Sequence, residues 1–280
     1  MASPQEIQEA LGRLDALTRE LRVACPWDRE QDARSIVPHT VEEAFELADA
    51  ANAGDDAKQV DELGDVLFQV HFLSLLLEER GVASLADVAE ACRQKLIRRH
   101  PHVYPDPDSA IAGPDGTVQA STAGEVLANW DEIKKSEAGR APGIFGEVPE
   151  NLPGTLYARK VQRRTASTGF DFDGVPLEAV AGELQELAEA VAQADGDVSP
   201  AGPVRDALFH EVGDVLFAAV NVARKLKVDP ELALRAAADR FRGRIEAAEA
   251  QATAAGEEWA SLTPDRQLQH YAQARLREHG

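Results

Sequence analysis

Two groups of acidic side chains have the spacing expected of a site for a divalent cation. In the first group, Glu42, Glu43 and Glu46 fall on adjacent rows of one predicted helix, and Glu62 and Asp65 lie three positions apart on the next. Two antiparallel helices joined by a short loop can direct such acids toward one point. Carboxylates without a His or Cys at ligand spacing favour Mg²⁺, with Mn²⁺ as its substitute, over zinc.

The acidic group occurs twice in the chain. The segments EEAFE at 42–46 and DELGDVLF at 61–68 return in weakened form as GELQE at 182–186 and HEVGDVLF at 210–217. A period this long indicates a duplicated domain rather than a short-repeat solenoid. The chemistry of the acids is therefore expected to be present twice.

An ordinary solvated helix face is the alternative interpretation of these acids. The helix that carries Glu62 and Asp65 argues against it, because residues 66–77 read VLFQVHFLSLLL and are apolar nearly all round, as in a buried helix. Both acids lie on the same stripe as Val66, at the mouth of that helix. Carboxylates crowded there repel one another and raise each other's pKa unless a cation holds them.

A di-iron helical bundle is the nearest structural alternative, because it also gathers Glu residues from several helices. Such a centre needs Glu-x-x-His pairs. His71 and His210 both lack a Glu three positions earlier, so the sequence disfavours iron. We expect His71 to be a packed or hydrogen-bonded core residue.

A basic cluster follows on the fourth predicted helix. Lys95, Arg98 and Arg99 lie within one turn of its end, in the segment KLIRRHPHVY, where they suit either the helix dipole or the phosphates of an anionic ligand. A later segment, NWDEIKK, adds an amide, an aromatic ring and a cation: Asn129, Trp130 and Lys134. The ring of Trp130 suits a core position equally well.

The composition excludes several classes of partner. A formal net charge of −20 over 280 residues disfavours duplex nucleic acid and anionic membranes, because both attract basic proteins. The chain has two cysteines, an N-terminus unlike a signal peptide and no apolar run of membrane-spanning length. We therefore expect a cytoplasmic protein.

Helices must position these side chains, since abundant Ala, Leu, Glu and Arg with 5% aromatic residues favour helix over sheet. We predict an all-α fold of two tandem domains, 1–138 and 155–280, joined by a linker at 139–154 that is rich in Pro and Gly. Each domain is expected to be completed by dimerisation, because a few amphipathic helices leave apolar surface uncovered.

The predicted helices follow the apolar periodicity and its capping residues. In the first unit they span about 5–22, 40–53, 57–80, 84–99 and 124–136, with Thr40 as an N-cap, Gly54 as a stop and a long loop at 101–123. In the second unit they span about 155–167, 176–194, 203–227, 230–255 and 264–278.

Taken together, the motifs resemble those of MazG-type nucleoside triphosphate pyrophosphohydrolases, in the all-α NTP-pyrophosphatase superfamily. The resemblance covers almost the full length. Besides the acidic segments, it includes CPWDREQ, RRHPHVY, NWDEIKK, LPGTLYARKVQRR and GFDF, in that order along the chain. It implies Mg²⁺-dependent hydrolysis of NTPs or dNTPs to the monophosphate and pyrophosphate, a housecleaning reaction of the nucleotide pool, by homodimers.

The resemblance also implies roles for individual residues. The metal ligands would be Glu43, Glu46, Glu62 and Asp65 in the first copy, and Glu183, Glu186, Glu211 and Asp214 in the second. Catalysis would depend on Glu42, Glu43 and Glu62, with Glu42 positioning or deprotonating water. Arg240, Arg244 and Tyr271 fall where the family places phosphate-binding and base-contacting side chains.

The second copy departs from the pattern. Gly182 replaces the first acid, the loop between the acidic helices is nine residues longer, and Gly243 stands where Arg98 stands in the first copy. The first copy is thus the better equipped, although motif completeness leaves open which copy turns over. A nucleotide-sensing or regulatory protein, and a purely structural bundle, are the alternatives to the enzyme.

Overall fold

The structure, a computed structural model, describes residues 1–106, 109, 111–113, 117–136, 143–146, 148–149, 151–196 and 202–277. The side chains of residues 127, 128, 131 and 134–136 lie outside the described part. The described residues form eleven α-helices and one short 3₁₀-helix, with no β-strand among them. The predicted all-α class is confirmed.

Two compact units divide the chain, Met1–Arg140 and Ala141–Gly280. The division falls inside the segment predicted to be the linker, of which residues 143–146, 148–149 and 151–154 are described. The domain limits 1–138 and 155–280 stay a prediction.

The first unit contains six helices. They are α1 (Pro4–Ala24), α2 (Pro26–Glu30), α3 (Ala33–Ala53), α4 (Asp56–Glu79), α5 (Leu85–Arg98) and α6 (Ala123–Ser136). Helix α3 packs along α4 as a hairpin, and α1 and α5 also pack against α4. Ile36, Phe72 and Leu76 form the buried core between the two hairpin helices.

Helix α3 begins seven residues before the predicted start, so the assignment of Thr40 as its N-cap was wrong. Asp32 caps the helix instead, because its carboxylate accepts from the N–H groups of Arg34 and Ser35 while the Ser35 hydroxyl accepts from the Asp32 N–H. Pro38 lies inside the helix and removes one backbone hydrogen bond near its start, two residues after Ile36, which is buried in the core. Thr40 directs its hydroxyl back to the Ile36 carbonyl, 3.4 Å away.

The second unit contains five helices. They are α7 (Gly154–Ala166), α8 (Leu177–Ala194), α9 (Pro203–Lys225), α10 (Pro230–Ala254) and α11 (Pro264–Arg277), with a 3₁₀ turn at Trp259–Ser261 before the last. Helix α8 packs along α9 as α3 does along α4, and α7 and α11 pack against α10. The repeated hairpin is therefore a structural repeat as well as a sequence repeat.

Helix α4 is buried on one side only, whereas its sequence indicated burial on nearly all sides. His71, Phe72, Ser74, Leu75 and Leu76 are buried, which confirms the core position of His71. A stripe along the other side is exposed, however: Val60, Leu63, Leu67 and Val70. The expectation of burial all round was wrong for the single chain, because each hairpin covers only one side of its second helix.

A membrane-spanning segment needs a combination of length and hydrophobicity that the helices in the described part of the chain do not reach. The prediction of a cytoplasmic location stays a prediction.

Candidate metal centre

The first acidic cluster joins the two helices of the α3–α4 hairpin. Carboxylate oxygens of Glu43, Glu62 and Asp65 all lie within 4.8 Å of one another. Glu62 is buried, Glu43 is half-buried and Asp65 is exposed, so the cluster runs from the packed interior of the hairpin to solvent. Three of the predicted acids therefore have carboxylates directed to one point, which we call the three-acid focus.

The tight turn of the hairpin places these acids opposite one another. Gly54 ends α3 in the left-handed conformation, at φ +69°, which glycine adopts without steric cost. Asp55 then starts α4 directly, its carboxylate accepting from the Lys58 N–H at 3.0 Å. A two-residue connection of this kind keeps Glu43 level with Glu62 and Asp65, which lie one turn apart.

Electrostatics at the cluster oppose the ionisation of its members. The pKa of Glu43 is raised from its ordinary value, first by burial and then by the negative charges of Asp65, Glu46 and Glu62. A cation that enters the cluster would stabilise the ionised form of this carboxylate.

Glu46 lies one turn from Glu43 but contacts a lysine that the sequence analysis missed. The Lys58 Nζ is 3.8 Å from a Glu46 carboxylate oxygen and 3.5 Å from one of Glu62. The spacing of Lys58 and Glu62, i and i+4 on α4, is the signal that would have identified the contact with Glu62, whereas the contact with Glu46 crosses to the other helix. Both Lys58 and Glu46 are half exposed.

Glu42 lies on the next row of α3 and is not part of the three-acid focus. Its carboxylate is 3.5 Å from the Nδ1 of His39, one turn earlier. The ring of His39 contacts the edge of Trp27, with centroids 6.0 Å apart. Glu42 is well exposed and open to water beside the cluster.

The second cluster repeats the first on the α8–α9 hairpin. Carboxylate oxygens of Glu183, Glu211 and Asp214 lie within 4.8 Å of one another. The pKa of Glu183 is raised, first by burial and then by the charges of Glu186, Asp214 and Glu211. The longer connection therefore leaves the three acids close together, although five of its residues, 197–201, lie outside the described part.

The predicted basic residues of the first unit lie at the end of α5, which packs against α4. Lys95 and Arg98 are exposed and Arg99 caps the helix. On α6, the Asn129 side-chain N–H₂ donates to the Gln119 carbonyl at 3.5 Å, and the Trp130 ring meets His100 edge-on with centroids 5.0 Å apart. The side chain of Lys134 lies outside the described residues.

Three predicted nucleotide-binding residues of the second unit lie on α10 and α11. Arg240 is exposed and Arg244 is half-buried, one turn further along α10. The Tyr271 ring packs against Phe241, with centroids 5.7 Å apart. The neighbour of Tyr271, His270, is buried and bonded through Nε2 to Glu257 at 2.7 Å, which fixes α11 to the segment before it.

The donor set determines which ion the clusters can hold. Each offers carboxylate oxygens alone, with no Cys or His among the grouped donors in the described part of the chain. Oxygen donors of this kind prefer a hard divalent cation such as Mg²⁺ or Mn²⁺. The residues present therefore fit such an ion, and a bound ion would draw in the phosphates of an anionic substrate.

Comparison with known proteins points to one family. The family model described as MazG nucleotide pyrophosphohydrolase domain matches residues 31–104 and 176–247, so each match contains one acidic cluster. The nucleoside triphosphate pyrophosphohydrolase of Escherichia coli K12 is 34% identical over 264 residues, which cover 93% of this chain and 94% of the relative. The nucleoside triphosphate pyrophosphohydrolase/pyrophosphatase MazG of Thermotoga maritima is 36% identical over 78% of this chain and 76% of its own length.

Proposed function

The chain belongs to the MazG nucleotide pyrophosphohydrolase family, and we propose from that membership how its own residues bind and hydrolyse nucleoside triphosphates. It is a nucleoside triphosphate pyrophosphohydrolase, which converts NTP and water into NMP and pyrophosphate. The observation that carries the assignment to particular residues is the pair of three-carboxylate clusters, one in each matched segment.

Mg²⁺ is the ion proposed for both clusters, with Mn²⁺ as a substitute. Its ligands would be Glu43, Glu62 and Asp65 in the first unit and Glu183, Glu211 and Asp214 in the second. Glu46 and Glu186 would complete the sets from the next turn of α3 and α8. Bound there, Mg²⁺ would neutralise charge on the phosphates and make a bound water more acidic.

Glu42 is the proposed acceptor of the proton from the attacking water. The water oxygen bonds to the α-phosphorus, the bond from that phosphorus to the α–β bridging oxygen breaks, and pyrophosphate leaves in line. The carboxylate of Glu42 is exposed beside the cluster, where it can reach a water directed at the substrate. Glu43 and Glu62 would contribute as ligands that hold the cation in place.

The basic and aromatic side chains are proposed to hold the rest of the nucleotide. In the first unit these are Lys95, Arg98, Arg99, Asn129, Trp130 and Lys134. In the second they are Arg240, Arg244 and Tyr271. Support comes from the packing of α5 against α4, the helix that carries Glu62 and Asp65. Guanidinium groups pair well with phosphate oxygens that a metal does not reach.

The active form is proposed to be a homodimer. The exposed stripe of α4 recurs on α9, where Phe209, Val212 and Leu216 take the positions of Val60, Leu63 and Leu67 and are also exposed. Apolar residues at this heptad-like spacing are typical of a helix that packs against another helix. Pairing of the two stripes of one chain is the alternative to a second copy.

A nucleotide-sensing role is a second candidate for the second unit alone. Gly182 stands in place of Glu42, so this unit has a cluster for the ion but not the proposed proton acceptor. Saturable NTP binding without release of pyrophosphate by that unit would identify a sensor.

Glu62→Gln combined with Glu211→Gln tests the proposed centre. We expect the double variant to lose pyrophosphate release by at least ~100-fold, because one ligand is removed from each cluster, the buried Glu62 from the first and the half-buried Glu211 from the second. The measurement is quantification of NMP and pyrophosphate from an NTP panel. Glu20→Gln with Glu178→Gln, exposed acids of the same two units, is the matched control. Undiminished turnover in the first double variant would rule out both clusters.

A further inference from the structure

Lys58 brings a positive charge into the first acidic cluster. Its Nζ lies between Glu62 on its own helix, at 3.5 Å, and Glu46 on the opposite helix, at 3.8 Å. These are two of the four acids proposed to bind the divalent cation. The lysine therefore contacts the same carboxylates that the cation needs.

The second cluster has no lysine at the position that corresponds to Lys58. Helices α4 and α9 align through ELGDVLF and EVGDVLF, and the residue four positions before Glu211 is Ala207. No basic side chain of the described residues lies within ion-pair distance of Glu183, Glu186, Glu211 or Asp214. The two clusters are otherwise alike. Each contains three carboxylates close together, and the pKa of the glutamate on its first helix, Glu43 or Glu183, is raised.

We propose that Lys58 is a built-in counter-ion that competes with the divalent cation, so that the first site binds the cation more weakly than the second. This inference rests on the proposed function, which assigns a divalent cation to both clusters. An ammonium group beside two ligands reduces the negative potential that attracts the ion, and its ion pairs must be exchanged when the ion binds.

The difference has a consequence for regulation. With unequal affinities, the two sites of one chain fill at different concentrations of free cation. The second site stays loaded where the first is partly empty, and the first site, which carries Glu42, responds to the cation supply. Lys58 and Glu46 are half exposed, although Glu62 is buried, so the expected difference is roughly 3- to 10-fold in Kd and decreases at high salt.

Binding of Mn²⁺ alone to the full-length chain tests the proposal, with free Mn²⁺ followed by electron paramagnetic resonance. Glu211→Gln with Asp214→Asn leaves only the first site, and we expect Lys58→Met in that background to lower its Kd for Mn²⁺ roughly 3- to 10-fold. Glu62→Gln with Asp65→Asn leaves only the second site, and we expect Ala207→Lys there to raise the Kd by a similar factor.

Lys160→Met is the matched control, because it removes one exposed lysine from α7 and changes the net charge equally. Lys58→Gln serves as a second substitution should Lys58→Met unfold, which circular dichroism reports. An unchanged or raised Kd in both Lys58 variants, or a shift of the same size in Lys160→Met, would overturn the proposal. Absence of Mn²⁺ binding in both single-site backgrounds and in the parent chain would instead refute the proposed metal centre, so the two failures are distinguishable.

Discussion

Glu43 is a side chain whose ionised form is disfavoured by both burial and its neighbours. Its pKa is raised by burial first and by Asp65, Glu46 and Glu62 next. A group with a raised acid pKa binds its proton more tightly in the folded chain than in the unfolded one. In the absence of metal, its contribution therefore favours folding below the ordinary value of about 4.5 and is lost as the pH rises through the raised pKa.

Glu43→Gln should consequently stabilise the metal-free protein at pH 7. We expect its Tm in chelator to exceed that of the parent chain by about 1–3 °C, because one repelling charge is removed. The same variant should lose most of the Tm increase that Mn²⁺ gives to the first unit, since a ligand is gone. Differential scanning calorimetry with and without Mn²⁺ measures both effects.

Glu20→Gln, on the exposed face of α1, is the control for this substitution. It should change neither the metal-free Tm nor the Mn²⁺-dependent increase by more than about 1 °C. A lower metal-free Tm in Glu43→Gln would contradict the account of repulsion at the cluster.

Asp171 ties the segment before α8 to the end of α9. Its carboxylate accepts from Arg224 and from the Lys225 ammonium, 3.1 Å away, and the hydrogen bond from Arg224 is the main reason that its pKa is lowered to about 2. A lowered acid pKa contributes stability above the unfolded value of about 3.8, and that stability is lost as the pH falls through about 2.

At the scale of elements, Asp171→Asn should weaken the attachment of this segment to α9. We expect a loss of about 1 kcal/mol in the free energy of unfolding at pH 7, with the difference from the parent chain narrowing between pH 4 and 2. Urea denaturation at several pH values measures it. Asp173→Asn, an exposed neighbour two positions away, should leave the free energy of unfolding unchanged, and an equal loss in both variants would contradict the role of the Arg224 contact.

The exposed stripes of α4 and α9 belong to the same scale. Val70→Glu with Ala219→Glu places a charge at equivalent exposed positions of both stripes, five residues beyond Asp65 and Asp214. We expect the variant to weaken the homodimer by at least ~30-fold in Kd, because an interface core tolerates a buried charge poorly. Light scattering across a concentration series measures the change.

The control for the stripes uses Val82→Glu with Val228→Glu, which alter equivalent exposed residues just after α4 and α9. These should leave the dimer intact. A parent chain that is monomeric at every concentration would contradict the proposed homodimer and favour pairing of the two stripes within one chain.

The elements were predictable where local chemistry was unambiguous. Ser84 and Gly54 mark the start of α5 and the end of α3 within a residue, since a capping box and a left-handed glycine are local signals. The start of α3 was not predictable, because Thr40 and Glu43 imitate a capping box while Asp32 competes from further upstream. Helix α2 also went unpredicted, since its five residues, Pro26–Glu30, are too few to show a helical periodicity.

At the scale of the molecule, the duplication allows each half to be tested alone. We expect the fragment 1–138 to release pyrophosphate from NTPs, because it contains both the first cluster and Glu42. The fragment 155–280 should bind Mn²⁺ and release pyrophosphate at least ~10-fold more slowly, because Gly182 replaces the proposed proton acceptor. A substrate panel on both fragments and the full chain makes the measurement, and a more active second fragment would contradict the role of Glu42.

The candidate site was predictable as a set of acids but not in its details. The EExxE and ExxD spacings identified three acids in each copy that share a focus. The contact of Lys58 with Glu46 and the turning of Glu42 toward His39 depend on side-chain directions that spacing alone does not give. The exposed stripe of α4 was missed because hydrophobicity cannot distinguish a face that packs within the chain from one that packs on another.

Pro38 has a consequence for how α3 moves. Proline lacks an N–H, so the carbonyl of Arg34 has no helical donor four residues later, and the first turn of α3 is joined to the rest by one hydrogen bond fewer. We therefore expect amide hydrogen exchange to show that two segments of α3 open separately. The N-terminal segment is anchored by Asp32 and Ile36, and the C-terminal segment carries the acids. The cation would then slow amide hydrogen exchange only in the C-terminal segment of α3.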